Sequence, residues 1–459
     1  MPLIDPSDKR PVHFVGIAGA GMSALAELCA RRGAAVTGCD QNPDGASDLA
    51  ALRITVLRGH DAAHVTGHRA LVVSSAIPKT HPELERARAE GIPVIRRAEA
   101  LAEATAGGRL VGIAGTHGKS TTTVMTTEAL KAGGVNATGV VGARVAAWGG
   151  NLSAGADAVF VVEADEYDRS FLALSPDVAV VTNVEADHLD IYRDLDDIRG
   201  AFTQYLRGAR WIALCADDAN ANALATPASA EVVRYGITSP DARLVARDVR
   251  HDGRVSRFHV VFDNKPLGEV TLGVPGDHNV RNALAALAVG LGTWGMTVEA
   301  MRDGLARFVG AERRFQHLGD QRGVTVIDDY AHHPTEIRAT LAAARDAFGA
   351  RRVVVAFQPH LFSRTRDFFA DFADALCAAD ALFLCDIYPA REQPMPGVTS
   401  ALIADAMARA GKAPAWTGPR AEASNALAAY VREGDVVLTV GAGDVTKTGP
   451  ELLKALGDG

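Results

Sequence analysis

Short apolar runs alternate along the chain with segments in which apolar residues recur every three or four positions. In the first part of the sequence, residues 12–17, 34–39, 71–74 and 92–95 have the pattern of buried strands. A helical period covers residues 82–90, between two of these runs. Strands that alternate with helices predict a parallel, doubly wound sheet.

The same alternation continues to the end of the chain. The later predicted strands are residues 110–114, 158–162, 178–182, 324–327, 353–357, 382–385 and 436–440. Between residues 241 and 274 the pattern changes to short β runs separated by turns at residues 251–253 and 263–264, which indicates a small antiparallel addition.

We therefore expect an α/β protein of three domains. Residues 1–106 and 313–459 should be Rossmann-like, and residues 107–312 should form a P-loop-type mononucleotide-binding domain that carries the β addition.

Composition narrows the functional class. The 459 residues are 48% hydrophobic and 22% charged, with a net charge of −8 and no long basic run, which favours a globular protein that does not bind nucleic acid. The five cysteines lack C-x-x-C spacing, so reduced and mostly buried thiols are expected. Charged residues precede the first apolar run, and residues 12–30 include His13 and Glu27, so we expect a cytoplasmic protein without a signal peptide or membrane span.

A first glycine-rich turn follows the first predicted strand. Gly19, Ala20 and Gly21 begin a G-x-G-x-x-[GA] pattern, and Asp40 closes the next strand. The pattern predicts a nucleotide diphosphate at a helix N-terminus, with an acidic group near a ribose hydroxyl. The alternative is that the glycines serve only close packing of helix on strand. The motif does not by itself indicate NAD.

A second turn, residues 115–123, lies between strand 110–114 and a helical stretch at 124–132. It predicts a triphosphate site in which Lys119 reaches the outer phosphates and the Ser120 hydroxyl ligates Mg²⁺. Ile113 occupies the first glycine position of G-x-x-x-x-G-K-[ST], so a plain turn is the alternative. The predicted phosphate-binding residues are Gly115, Thr116, His117, Gly118, Lys119, Ser120 and Thr121.

Polar clusters follow several other strands. Residues 163–166 and 183–188 place carboxylates and His188 at strand ends, where parallel sheets bind ligands, although solvated acidic loops are the simpler reading. Asn279 and Asn282 near the start of an Ala/Leu-rich helix are either caps or base-reading amides. In the last segment the clusters are residues 328–334, 358–364, 386–391 and 441–444.

Taken in order, these motifs resemble the Mur ligases of bacterial peptidoglycan synthesis. The resemblance rests on residues 16–22, 73–77, 115–123, 163–166, 183–188, 278–282, 313–316, 328–336, 357–365 and 441–444. Within the family it is nearest to the members that join L-alanine to the carboxylate of UDP-N-acetylmuramate through an acyl phosphate, with ATP and Mg²⁺. It implies domains for the UDP-sugar, for ATP and for the amino acid, and a monomer or weak homodimer.

The resemblance also implies residue roles. Lys119, His188, His332 and Arg364 would be catalytic, and Ser120, Glu163 and His188 would ligate metal. Asn279 and Asn282 would read adenine, while Arg314 and Asp329 would meet phosphate and ribose. The implied UDP-sugar contacts are Gly19, Ala20, Gly21, Asp40, Ser74 and Ser75, and the implied amino-acid contacts are Tyr330, His332, His360 and Arg364.

Two positions depart from the family pattern. Ser120 stands where Thr is usual, and Leu361 follows His360 where some members carry Arg. The nearest rival is the recycling ligase that attaches a whole tripeptide, but residues 357–360 and 388–392 favour the alanine enzyme. An NAD-dependent dehydrogenase and a nucleotide-gated binding module without turnover are the alternatives from other classes.

Overall fold

The computed structural model describes residues 3–5, 7–390 and 392–458, and Arg391 of the predicted 386–391 cluster lies outside these ranges. The described chain contains three β-sheets, each flanked by helices. It divides into two compact units. The first comprises Met1–Asp248, Phe258–Val270 and Arg281–Phe308, and the second comprises Val249–Arg257, Thr271–Val280 and Val309–Gly459.

The first sheet has five parallel strands in the order β3-β2-β1-β4-β5. Its elements are β1 (Val12–Val15), α1 (Ala20–Arg31), β2 (Val36–Asp40), β3 (Thr55–Arg58), β4 (Ala70–Val73), α2 (Pro82–Ala89), β5 (Val94–Arg96) and α3 (Arg97–Ala104), with 3-10 turns at Pro43–Leu52 and Ala62–Val65. The sequence pattern missed β3, because this edge strand is only half-buried and has no continuous apolar run.

The second sheet has ten strands. Its elements are β6 (Arg109–Ala114), α4 (Lys119–Ala132), β7 (Thr138–Val145), β8 (Gly150–Ser153), β9 (Val159–Glu163), β10 (Val178–Val181), α5 (Leu195–Leu206), β11 (Trp211–Cys215), α6 (Ala219–Asn222), β12 (Glu231–Gly236), β13 (Leu244–Asp252), β14 (Val255–Phe262), β15 (Lys265–Leu272), α7 (Asp277–Trp294) and α8 (Val298–Ala306). The strand order is β15-β14-β13-β12-β11-β10-β6-β9-β7-β8.

Two-residue connections join β13 to β14 and β14 to β15, which agrees with the predicted antiparallel addition. Helix α4 begins at Lys119, five residues before the predicted helical stretch. Its first turns are rich in threonine, a poor helix former, but these side chains are buried. Thr123 Oγ1 and Thr127 Oγ1 donate back to helix carbonyls at 2.9 and 2.8 Å, and Thr122 Oγ1 donates to Asn282 Oδ1 at 3.1 Å.

The third sheet has the order β16-β17-β21-β18-β19-β20, with the edge strand β16 antiparallel to β17 and the other pairs parallel. Its elements are β16 (Gln316–Gln321), β17 (Val324–Asp329), α9 (Pro334–Phe348), β18 (Val353–Phe357), α10 (Phe362–Leu376), β19 (Ala381–Cys385), α11 (Ala401–Arg409), β20 (Trp416–Gly418), α12 (Arg420–Tyr430), β21 (Val436–Val440) and α13 (Thr448–Asp458).

The three-domain α/β fold class predicted from the sequence is confirmed. Continuous apolar runs such as β10, β18 and β21 are fully buried between helices, as expected for central parallel strands. Within the described ranges, no helix has the length and apolar character needed to cross a membrane. The five cysteines are free thiols, and four of them are buried.

Candidate active site

The turn between β6 and α4 requires both of its glycines. Gly115 has a φ of 144°, and a Cβ atom there would lie 1.9 Å from Thr182 Oγ1. Gly118 has a φ of 80°, and its Cβ would lie 2.7 Å from Asn282 Oδ1. These conformations direct the turn toward the N-terminus of α4, where unpaired N–H groups and the helix dipole favour a phosphate.

Residues after the neighbouring strand β10 hold this turn in place. The Asn183 Oδ1 atom accepts the His117 N–H at 2.8 Å, and its Nδ2 donates to the His117 carbonyl at 3.0 Å. Thr182 Oγ1 donates to the same carbonyl at 2.6 Å, and the Glu185 N–H donates to Thr116 Oγ1 at 2.9 Å. No role is predicted from the sequence for Thr182 or Asn183, although their position after a strand beside β6 is an available signal.

Lys119 lies inside the turn and is paired with a buried carboxylate. Its Nζ donates to Glu166 Oε2 at 2.7 Å, and to the carbonyls of Gly115 at 2.8 Å and Thr116 at 3.2 Å. Burial alone would lower the pKa of Lys119, but Glu166, Asp165 and Glu163 raise it above its ordinary value. Burial would likewise raise the pKa of Glu166, but Lys119 and His188 lower it. Both groups are therefore charged, and Glu166 joins the predicted site residues as one without a predicted role.

Ser120 and Glu163 form an oxygen-rich pair beside the turn. The Ser120 hydroxyl lies 3.0 and 3.1 Å from the two Glu163 carboxylate oxygens, and the Gly142 N–H donates to Glu163 Oε2 at 2.7 Å. A hydroxyl and a carboxylate are hard oxygen ligands of the kind that Mg²⁺ prefers. The donor set thus fits the predicted metal. The predicted residue Thr121 comes directly after Ser120 and is buried in the first turn of α4.

His188 lies close to the same carboxylates. Its Nε2 is 3.5 Å from Glu166 Oε1 and 3.7 Å from Asp187 Oδ2, and its ring meets Tyr167 edge-on at 5.0 Å. The residue has a φ of 53°, an unusual backbone conformation for a non-glycine residue. The structure therefore brings Lys119, Ser120, Glu163 and His188 to one region around Glu166.

The two asparagines at the start of α7 are both buried and both have partners inside the protein. Asn279 Nδ2 donates to the Pro275 carbonyl at 2.7 Å, and Asn282 Oδ1 accepts the Thr122 hydroxyl at 3.1 Å. Their role as adenine readers stays a prediction.

The first glycine turn has a different chemical character. Gly19 is the N-cap of α1, Ala20 is its first residue, and Asp40 Oδ2 accepts the Ala18 N–H at 3.0 Å. A Cβ on Gly21 would lie 2.9 Å from Arg97 Nη1, so a guanidinium covers this helix start. Arg97 was not among the predicted site residues, because it lies about 75 positions further along the chain.

Arg97, which covers this turn, also lines a cavity of about 130 Å³. Its walls include Ser75, Arg96, Arg97, Asp165, Tyr167 and Arg169. Ser74 follows the end of β4, the strand paired with β1, so both predicted serines lie at the same sheet edge as the turn. Their contact with a UDP-sugar stays a prediction.

In the second unit, the predicted amino-acid residues form one cluster. The Tyr330 and His332 rings are 5.2 Å apart, and the His332 and His360 rings are 6.0 Å apart. Arg364, buried in the first turn of α10, places Nη1 3.5 Å from His360 Nδ1. Leu361, the residue that departs from the family pattern, is buried with a φ of 72° and precedes α10 as its N-cap.

Asp329 and Arg314 lie beside this cluster in different environments. Asp329 is buried, and its oxygens accept the N–H groups of Phe315 at 2.7 Å and Ala331 at 2.8 Å and the Thr340 hydroxyl at 3.1 Å. Burial raises the pKa of Asp329 to about 6, against the lowering effect of Arg314. Arg314 lies over the Tyr330 ring at 5.1 Å. Their contacts with ribose and phosphate stay predictions.

Two residues without a predicted role hold the loop at residues 441–444. Arg313 donates to the carbonyls of Gly441, Ala442 and Gly443, and its Nε lies 3.3 Å from Asp328 Oδ2. Gln358 donates to Asp444 Oδ1 at 2.9 Å and accepts the Val445 N–H at 2.9 Å. Both belong to the family-like motifs at residues 313–316 and 357–365, but only the folded structure shows that they share this loop.

Known proteins resemble this chain over almost its full length. The UDP-N-acetylmuramate–L-alanine ligase of Paenarthrobacter aurescens is 47% identical, over 97% of this chain and 97% of the relative. The chain belongs to the Mur ligase family. Three family profiles match in order: the Mur ligase family catalytic domain at residues 11–109, the Mur ligase middle domain at 113–290 and the Mur ligase glutamate ligase domain at 313–443.

Solved structures agree with membership of the Mur ligases. The crystal structure of UDP-N-acetylmuramate–alanine ligase from Thermotoga maritima has a TM-score of 0.84 and 28% identity, and the match covers 98% of this chain and 99% of that one. A murein peptide ligase from Psychrobacter arcticus has a TM-score of 0.72 at 24% identity, with 98% and 99% coverage, and this likeness concerns the fold.

Proposed function

We propose that this Mur ligase joins L-alanine to the carboxylate of UDP-N-acetylmuramate, at the expense of ATP, in the synthesis of peptidoglycan precursors. The observation that carries the proposal is the near-complete match, at 43–48% identity, to relatives that share this one activity name. The geometry around Lys119 supplies what such a reaction needs on the ATP side.

An amide forms from a carboxylate only when one carboxylate oxygen becomes a leaving group. The carboxylate of the sugar attacks the γ-phosphorus of ATP, ADP leaves, and an acyl phosphate results. The free amine of alanine then attacks the acyl carbon, the amine loses a proton, and inorganic phosphate leaves. No side chain needs to act as nucleophile, so positioning and neutralisation of charge carry the catalysis.

Lys119 is the residue that neutralises charge on the transferred phosphoryl group. Its charged Nζ already faces the inside of the turn between Gly115 and Gly118, 2.7 Å from Glu166. In the loaded enzyme the outer phosphates would compete with Glu166 and the loop carbonyls for this ammonium. Glu166, by holding Lys119 charged and oriented, is a positioning residue.

Mg²⁺ would be held by Ser120 and Glu163, with His188 serving a second ion. Bound there, the metal would offset the negative charge of the phosphates. The Gly142 N–H orients Glu163 for this role, and the 2.7 Å hydrogen bond keeps one carboxylate oxygen in a defined position.

The substrates would occupy two further places. Gly19, Ala20, Gly21, Asp40, Ser74 and Ser75 would line the UDP-sugar site, with Arg97 as the nearby cation. Tyr330, His332, His360 and Arg364 would contact the alanine, and Arg314 and Asp329 would meet the nucleotide. Domains at 1–106, 107–312 and 313–459 would divide these tasks. We also propose that the protein is cytoplasmic. We propose a monomer or weak homodimer, and light scattering would measure this oligomeric state.

The decisive experiment measures phosphate release with ATP and UDP-N-acetylmuramate while each of the twenty amino acids is supplied in turn. L-Alanine should give the highest rate, and glycine a low but measurable one, because one methyl group is worth about 1–3 kcal/mol of discrimination. A parallel arm supplies the tripeptide. Turnover with the tripeptide and none with alanine would show the recycling activity instead, and ATP binding without ADP release would indicate a binding module.

A further inference from the structure

A buried cluster of imidazole, thiol and carboxylate groups lies within the first sheet and its helix α2, and the proposed reaction does not use it. The cluster consists of His13 on β1, Cys39 on β2, His64 in the 3-10 turn at Ala62–Val65, and Glu83 in the first turn of α2. Each residue offers one ligand atom, and these four atoms all lie within 4.8 Å of one another.

Glu83 is the centre of the cluster, and its side chain is fully buried. The Glu83 carboxylate accepts a hydrogen bond from the Cys39 thiol, whose Sγ lies 3.1 and 3.2 Å from the two carboxylate oxygens. Glu83 Oε1 lies 3.0 Å from His64 Nδ1. In the described part of the chain its remaining partners are the Asp61 N–H and two further imidazoles, and none is a lysine or arginine. A buried carboxylate of this kind needs a cation for compensation.

His13 provides an independent indication of a ligand. It is completely buried, and its Nε2 has no hydrogen-bond partner among the residues that the structure describes, although it lies 3.8 Å from Glu83 Oε2. Its other nitrogen, Nδ1, is 2.9 Å from Thr37 Oγ1, which in turn is 2.9 Å from His68 Nε2. If Nδ1 carries the proton in that hydrogen bond, the lone pair of Nε2 faces the cluster, as in histidines that bind a metal.

We propose that His13, Cys39, His64 and Glu83 form a structural zinc site in the UDP-sugar domain. One thiolate, two imidazoles and one carboxylate make a four-coordinate donor set that suits Zn²⁺ better than the hard cations Mg²⁺ and Ca²⁺. Ligand atoms around a tetrahedral zinc are separated by about 3.3–3.7 Å, so only small shifts of these side chains are required. His60 Nδ1, 3.1 Å from Cys39 Sγ, would donate to the thiolate from outside the four ligands.

Such a site would tie together elements that position the first glycine turn. The carbonyl of Cys39 accepts the N–H groups of Gly16 and Ile17, and the next residue, Asp40, accepts the Ala18 N–H. The zinc would thus stabilise the base of the turn without contacting the nucleotide itself.

The test uses the full chain, stripped of metal with a chelator and titrated with Zn²⁺ alone or with Co²⁺ as a spectroscopic probe. We expect one equivalent per chain, a rise in Tm on zinc binding, and tetrahedral Co²⁺ bands with a thiolate charge-transfer band. Cys39→Ser should remove the charge-transfer band and weaken zinc binding at least about 100-fold. Cys29→Ser is the matched control, because Cys29 is an equally buried thiol on α1 that lies outside the cluster.

Zinc X-ray absorption of the unmutated protein keeps the proposal testable if Cys39→Ser does not fold. One sulfur among four ligands is the expected result. Failure to bind stoichiometric zinc, a coordination shell without sulfur, or equal affinity in the Cys39→Ser variant would each overturn the proposal. None of these readouts depends on ligase activity, so they are independent of the proposed function.

Discussion

The two glycine turns of the first compact unit have the same strand–turn–helix arrangement but different side chains around them. Both lie between a parallel strand and the N-terminus of a helix, after β1 and after β6. The turn after β6 carries its own cation, Lys119, and is surrounded by Glu163, Glu166 and His188. The turn after β1 has no lysine, and the nearest guanidinium, Arg97, comes from a distant helix.

The difference teaches what phosphoryl transfer demands beyond phosphate binding. Amide groups at a helix start suffice to hold a diphosphate that does not react. A phosphoryl group in transfer also needs a cation and metal-binding oxygens held rigidly near the reacting atoms. The densely paired groups around Lys119 fit that demand, and under the proposed function the first turn would serve recognition. Four predictions test this contrast.

The largest effect should come from Lys119→Ala. Removing a charge-stabilising donor typically costs about 10²–10³ in rate, so ADP release should fall at least that far. The affinity for the UDP-sugar, measured by calorimetry, should be unchanged, because the sugar is assigned to the other turn. Lys131→Ala at the far end of α4 is the control. Near-normal ADP release in Lys119→Ala would remove the proposed distinction between the turns.

Alanine at Gly115 should destabilise the protein more than alanine at Gly21. Gly115 combines a φ of 144° with a contact of 1.9 Å to Thr182 Oγ1, so about 2–4 kcal/mol of unfolding free energy should be lost. Gly21 has an ordinary helical backbone, and its new Cβ meets only the flexible end of Arg97, which predicts less than about 1 kcal/mol. Urea denaturation of both variants measures the difference, and equal losses would contradict the structural contrast.

Glu166→Gln should lower stability by about 1–3 kcal/mol near neutral pH, because a buried charged hydrogen bond becomes neutral. The pKa of Glu166 is lowered from 4.5 in the folded state, so the stabilisation from its charge is complete above that value and is lost as the pH falls below it. Denaturation over this range should show the deficit of the variant shrinking with acidity. Asp165→Asn, at a side chain that is 36% exposed, should cost less than about 1 kcal/mol at any pH.

The smallest effect should follow Arg97→Gln. Loss of one charged hydrogen bond should raise the KM for the UDP-sugar about tenfold with little change in kcat, and the loss should diminish at high salt. Arg86→Gln, at a side chain of α2 that is 48% exposed and does not line the cavity at Arg97, is the matched control. A selective fall in kcat would place Arg97 in the chemistry rather than in recognition.

The sequence predicted the architecture because its signals are local. Strands such as β10 and β18 are continuous apolar runs. The turns at residues 115–118 and 263–264 are predicted by their residue types. The edge strand β3 was missed because a half-exposed strand lacks such a run. The order of glycine, lysine, hydroxyl and carboxylate motifs was enough to indicate the family, and the full-length relatives confirm it.

Only the tertiary structure decided which side chains the residues of those motifs contact. Glu166 beside Lys119, Asn183 around His117, Arg97 over Gly21, and Arg313 on the loop after β21 all join residues from separate elements. The buried group of His13, Cys39, His64 and Glu83 likewise has no sequence spacing that identifies it. Side-chain type and local period are properties of a stretch of chain, whereas the distance between two charged atoms depends on how strands pair and helices cross. The sequence therefore determined which chemistry the chain carries, and the fold decided which of its groups meet.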